Sequence, residues 1–194
     1  MNEIYGYIIY YGTMLLQVVL VILVIKFIFS SLFKNYHSNW YTLIDDFNFS
    51  SQEFYELLKV ELEATGMKRV RIKKVALKEG NAFSSKRTYL RASWKEYQYD
   101  ICAAPFAKGF FISWWLLYKN SLGQLLVSKI PFVGGWLARK LFPVTYYKID
   151  TASMFMSYAH AAVLKVVDNI TNKQGIRSLS ETERKPILND VFRR

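Results

Sequence analysis

The sequence predicts an α+β protein: one N-terminal transmembrane helix, then a single domain holding a mostly antiparallel sheet of about four strands, a helical insertion before the last strand, and C-terminal helices. Three observations predict it. A long uncharged apolar run opens the chain, segments of period-two alternation fill its middle, and segments of helical period bounded by capping residues lie on either side of them.

No charged residue occurs between Glu3 and Lys26. As a helix rising ~1.5 Å per residue, Ile4 to Ile25 spans about 33 Å, enough to cross a hydrocarbon core of about 30 Å. Leu, Ile and Val dominate the run, and their favourable transfer outweighs Thr13, Gln17 and the two glycines. A cleaved secretory leader has a basic start and an apolar stretch of about 7–15 residues. This segment begins with Glu3, and bulky residues continue through Phe29, so a retained anchor is expected. Tyr5, Tyr7, Tyr10 and Tyr11 at one end, and Tyr36, Trp40 and Tyr41 past the other, are expected at the two interfacial aromatic belts. Lys26 and Lys34 flank only the C-terminal side, which predicts a single-pass integral membrane protein with its N-terminus outside and its main domain cytoplasmic. Residues 1–41 then form the anchor and juxtamembrane flank, and 42–194 form one basic, aromatic-rich domain of about the usual size.

After Asp45 and Asp46, Ser50 and Glu53 have capping-box spacing and predict a helix from Ser51 to Thr65, with Phe54, Leu57, Leu58 and Leu62 inward and Gly66 as its stop. Alternation of apolar and basic residues from Met67 to Lys78 predicts a strand, with a bulge at Lys73 and Lys74 where the phase breaks. Glu79, Gly80 and Asn81 read as a turn. A long strand is expected from Arg87 to Ala104, ended by Pro105, followed by a turn at Lys108 and Gly109 and a third strand from Phe110 to Tyr118 that is apolar on both faces.

Leu122 to Phe142 reads as two short helices with a bend at Pro131, Gly134 and Gly135. Its uncharged runs are far shorter than a membrane span requires. Val144 to Ile149 is expected as the fourth strand. Asp150 or Thr151 caps the next helix, which buries Phe155, Ala159, Ala162, Val163, Val166 and Ile170, leaves His160 on the polar side and stops at Gly175. A second capping box, Ser180 and Glu183, predicts a short last helix with Pro186 in its first turn or so.

Charge narrows the function classes. With 26 Lys and Arg against 15 Asp and Glu, the surface seeks the phosphates of lipid or nucleic acid. The single cysteine, Cys102, permits no internal disulfide. One cysteine and two histidines give no metal-ligand spacing, and the chain holds no phosphate loop, dinucleotide fingerprint or nucleophile elbow, so no cofactor, metal site or catalytic residue is assigned and the protein is read as a non-enzyme. Cys102, His160 and Asp100 or Asp150 are the components of a nucleophile, base and orienter. A small buried thiol is the ordinary explanation of Cys102, and partnership with the basic strand that of Glu96 and Asp100.

Two tracts carry functional signal. Between Asp100 and Asp150 there is no acidic residue, while six Lys and Arg lie among eleven aromatics. Burial of the strand and of the helical hairpin is the ordinary account. The alternative is an interfacial segment in which Phe132 and Trp136 enter the headgroup layer and Lys129, Arg139 and Lys140 meet anionic lipid, each such cation contributing ~1 kcal/mol. The second tract, Lys68 to Lys95, holds ten Lys and Arg against Glu79 alone. A solvated strand is its ordinary account. As a binding patch it offers Lys73, Lys74, Arg87, Arg91 and Lys95 to lipid, nucleic acid or protein.

The leading expectation is a membrane-anchored, non-enzymatic accessory or adaptor protein whose basic domain lies against the bilayer and binds a protein partner of unknown identity. The alternative is a membrane-tethered nucleic-acid-binding protein using the basic hairpin. A third class is a lipid-acting enzyme.

Overall fold

The computed structural model of the chain describes residues 2–29, 36–78 and 86–189. It divides into two compact units, Met1–Lys34 with Asn120–Pro143 and Asn35–Lys119 with Val144–Arg194. The expected turn at Glu79, Gly80 and Asn81 lies outside the described residues.

The first unit contains α1 (Asn2–Phe29), and α3 (Leu122–Ser128) with α4 (Gly134–Leu141). Within α1, Tyr5–Ile22 is long and apolar enough to cross a membrane, and none of that window is buried. The two short helices are those the apolar spacing predicts, bent at Pro131. Ser121 caps α3 by accepting from the Gln124 amide at 3.2 Å.

Among its described residues the second unit holds a six-stranded antiparallel sheet in the order β2-β3-β4-β5-β1-β6. Its strands are β1 (Tyr36–Ile44), β2 (Arg71–Lys78), β3 (Lys86–Trp94), β4 (Tyr97–Phe106), β5 (Gly109–Tyr118) and β6 (Ile187–Leu188). Helices α2 (Ser51–Ala64) and α5 (Tyr146–Lys173) pack on one face of it. Trp40, Trp114, Tyr99, Ile101 and Leu90 line that face and meet Phe54 and Leu58 of α2 and Phe155 and Val163 of α5. The expected α2 forms: the Ser50 hydroxyl accepts from Glu53 N, and Gly66 takes φ +75° after the last turn. Every residue of the predicted α5 stripe is buried.

Six strands replace the expected four or so, for identifiable reasons. The segment read as the end of the membrane flank is β1, which pairs with β5 from Ile44↔Phe110 to Tyr36↔Leu117. Its inward row is Ser38, Trp40, Thr42 and Ile44, and the two polar members break the apolar alternation that marks a strand. Trp40 is therefore core, 2% exposed, and not part of an aromatic belt, while Tyr41 points away from the helices and is exposed. The segment predicted as one strand from Arg87 to Ala104 is the hairpin β3–β4, turned at Lys95 and Glu96 without glycine or asparagine; Lys95 itself adopts φ +53°. The turn reverses side-chain parity, so Leu90 and Ala92 face the same side as Ile101 and Tyr99. Pro105 stays within β4, and Ala107 at φ +52° makes the next turn with Lys108.

Gly109 opens β5 where an added Cβ would lie 2.6 Å from the Ile44 carbonyl, so strand pairing there requires glycine. β2 keeps an unbroken register with β3 through Lys73 and Lys74, and the expected bulge is absent there. The irregularity in the sheet falls instead between Tyr36 and Ser38 of β1.

Val144 to Ile149 is not a strand. Thr145 caps α5 by accepting from the Lys148 amide at 3.3 Å, so the helix starts before Asp150 and Thr151. The Thr151 hydroxyl donates to the Tyr147 carbonyl inside the helix. The Ser180 box also forms, with Ser180 N donating to Glu183 Oε2 at 2.7 Å, but it closes a single turn rather than a helix. Pro186 has no amide to continue the ladder, and the chain passes into β6 beside β1.

Candidate functional site

In the α3–α4 hairpin the apolar residues point the wrong way for a self-contained helical pair. Leu125 and Ala138 fill its inside, and Gly134 lets the helices touch: an added Cβ would sit 2.6 Å from the Val127 carbonyl and 2.8 Å from that of Ser128. Leu122, Leu126, Val133, Trp136 and Leu141 remain exposed, and Phe132, at φ +66°, is entirely in solvent. A left-handed phenylalanine with no covering contact is unusual for a side chain of its size. Arg139 and Lys140 lie in the last turn of α4, and Lys140 Nζ stands 5.0 Å over the Trp136 ring. Of the residues predicted to meet lipid, Phe132, Trp136, Arg139 and Lys140 are thus each exposed, with Lys140 over Trp136, whereas Lys129 is half-buried at the α3 cap.

The basic patch is not brought together as one surface. Register places Lys73, Arg91 and Arg87 on the sheet face turned away from the helices, with Lys73 opposite Arg91 and Leu77 opposite Arg87. Lys74 lies on the other face and bonds Glu56 of α2 at 2.6 Å. That bond is the main cause that lowers the Glu56 carboxyl below its usual range. Lys95 is at the β3–β4 turn, 4.6 Å over Trp94. Arg91 grips Asp100 through two bonds of 2.7 and 2.8 Å, and Gln98 adds a third at 2.9 Å. The carboxylate is 5% exposed, so this pair is part of the fold.

The structure separates the components of the hypothetical triad. Cys102 and Asp100 share the sheet face turned away from the helices, while His160 extends from α5 on the opposite side. Burial pushes the Cys102 thiol up, away from thiolate formation. His160, expected on the polar side of its helix, is instead buried: Trp114 Nε1 donates to its Nδ1 at 3.1 Å, and its Nε2 meets the Arg184 carbonyl at 2.6 Å. Those two contacts define a neutral ring protonated at Nε2, and burial lowers its pKa. Trp40 Nε1 donates to the adjacent Glu183 carbonyl at 2.6 Å, so the same turn is fixed twice. Nothing in the local sequence marks this network, because a histidine completing a buried stripe looks like one flanking it. Among the described residues no group of three or more His, Cys, Asp or Glu is placed to hold a metal ion.

No family model matches the chain, and no curated protein matches it. Among solved structures it is similar to the crystal structure of TTHA0849 from Thermus thermophilus, at 14% identity over 66% of this chain and 97% of that one, with a TM-score of 0.24, a likeness too slight to bear on fold or function.

Proposed function

We propose that the protein is a membrane-anchored, non-enzymatic accessory or adaptor protein. In this reading α1 crosses the bilayer with its N-terminus outside, the α3–α4 hairpin lies in the headgroup layer, and the basic α+β domain, on the cytoplasmic side, binds a protein partner. The observation that carries it is α1, whose Tyr5–Ile22 window is long and apolar enough to cross a membrane and is nowhere buried among the described residues. The hairpin supports it: exposed Phe132 and Trp136 beside Arg139 and Lys140, in a tract free of acidic residues, is the composition an interfacial segment needs.

Alkaline carbonate washing of membranes containing the full chain is the test of anchoring. The protein should remain in the pellet, and release of the intact chain into the supernatant would overturn the reading. Protease added to sealed inside-out vesicles should then digest the main domain, whereas protection there would reverse the orientation. For the hairpin, a Trp136→Ala, Lys140→Ala variant should remain anchored but lose protection of the α3–α4 amides against hydrogen exchange when anionic lipid is present.

A further inference from the structure

We infer that the free edge of β2 is a docking strand for an extended, acidic segment of the partner protein, added antiparallel to the sheet. This inference deepens the adaptor reading on its protein-binding side and does not depend on the anchor.

β2 ends the sheet, and its register with β3 is unbroken from Arg71↔Ser93 to Lys78↔Lys86. An eight-residue edge with no bulge and no proline offers a row of backbone donors and acceptors, which Arg71, Lys73, Lys74 and Lys78 guard against pairing with a like-charged strand but not against an acidic one. Here no inserted residue twists it away, and most of its side chains are exposed. A second copy of the same strand is a poor occupant, because it brings further Lys and Arg against Arg71, Lys73, Lys74 and Lys78. A strand bearing carboxylates is favoured by the same charges. Glu56 already shows the attraction, since it reaches Lys74 from α2. Lys68, Arg69, Arg71 and Lys73 are exposed and make no ion pair among the described residues.

Register also specifies what the segment looks like. Side chains alternate along a strand, and residues directly opposite each other share a face. On the face away from the helices β2 presents Arg71, Lys73, Val75 and Leu77 in that order. An antiparallel partner therefore meets Leu77 and Val75 first with two apolar residues, then Lys73 and Arg71 with two acidic ones, each pair at alternate positions. Every strand pairing in this sheet is antiparallel, and antiparallel pairing is the more stable mode per residue.

The test uses the full chain in nanodiscs of zwitterionic lipid, so that the lipid supplies no net charge. The probe is a labelled heptapeptide, Val-Thr-Val-Thr-Glu-Thr-Glu, compared with a peptide of the same composition whose glutamates are moved to the intervening positions. The ordered peptide should bind about tenfold tighter, equivalent to ~1.4 kcal/mol. Arg71→Glu with Lys73→Glu should weaken it roughly tenfold, and a peptide with lysines in place of the glutamates should recover the loss on that variant. Methylating alternate peptide amides separates strand addition from charge attraction, because only one of the two alternate sets faces β2. One set should abolish binding and the other leave it intact. Equal binding of both peptides, or tolerance of both methylated sets, overturns the proposal. Carbonate release of a chain that still binds the ordered peptide removes the anchor and leaves the docking edge. A retained chain indifferent to peptide order does the reverse.

Discussion

Two tryptophans of this chain end in opposite surroundings. Trp40, on β1, is buried against His160 and donates its indole hydrogen to the Glu183 carbonyl, whereas Trp136, on α4, is exposed and has the ammonium of Lys140 over its ring. Each has a second aromatic residue close by in the sequence, and neither stretch says what covers its ring. The difference lies in what covers the apolar side. The sheet has two helices to receive Trp40, while the described hairpin offers Trp136 nothing of comparable size. An apolar face thus identifies a side that avoids water without saying what replaces it.

That contrast breaks most readily at the first residue. Trp40→Ala should cost about 3–5 kcal/mol of unfolding free energy, and Trp136→Ala less than about 0.5 kcal/mol, in denaturant titrations followed by a sheet-reporting probe. A comparable cost at both positions would mean that the hairpin surface is covered in the folded protein after all. Asp100→Ala comes next. It leaves Arg91, 15% exposed, and Gln98 without their shared acceptor, and a loss of roughly 2–4 kcal/mol in the same titration is expected.

Gly134→Ala tests the hairpin's internal contact. Its Cβ would meet the Val127 and Ser128 carbonyls, so a cost of about 1–3 kcal/mol should appear as faster amide exchange in α3 and α4, with the sheet unaffected. The smallest effect is one of pH. Burial lowers the pKa of both His37 and His160, so the folded state resists protons that the unfolded chain accepts near pH 6.5. Stability from this source is complete above pH 6.5 and drains as pH falls below it toward the folded-state values. The thermal midpoint should decline from pH 7.5 to pH 5, and NMR titration of the two rings should show both midpoints below 6.5.

Helices are readable wherever a local signal suffices. Ser50 and Gly66 bracket α2, a periodic stripe defines α5, and Pro131 with Gly134 divides α3 from α4. Strand identity depends on partners far away in the chain. β1 hides because Ser38 and Thr42 face inward, with the Ser38 hydroxyl meeting Met156 Sδ at 3.0 Å. The β3–β4 turn hides because Lys95 accepts a left-handed backbone that glycine or asparagine ordinarily supplies. Composition singles out the tract that holds Phe132, Trp136, Arg139 and Lys140 but not their exposure, since Phe110 and Trp114 of the same tract are buried. The basic hairpin does not cohere in the same way, because only register decides that Lys74 turns to α2 while Lys73 turns away from it.

β1 is the first strand in the chain but occupies an inner position of the sheet, with β5 on one side and the short β6 on the other. During synthesis Ile44 emerges long before Phe110, and Ser38 long before Leu188. At about 5–20 residues per second, the first strand waits on the order of several seconds for its main neighbour and longer for its last. High contact order of this kind slows refolding. It also leaves a nascent chain with an aromatic ribbon open to misassociation, which makes ribosome-bound helpers and brisk synthesis of the residues up to β5 favourable conditions for producing this protein intact.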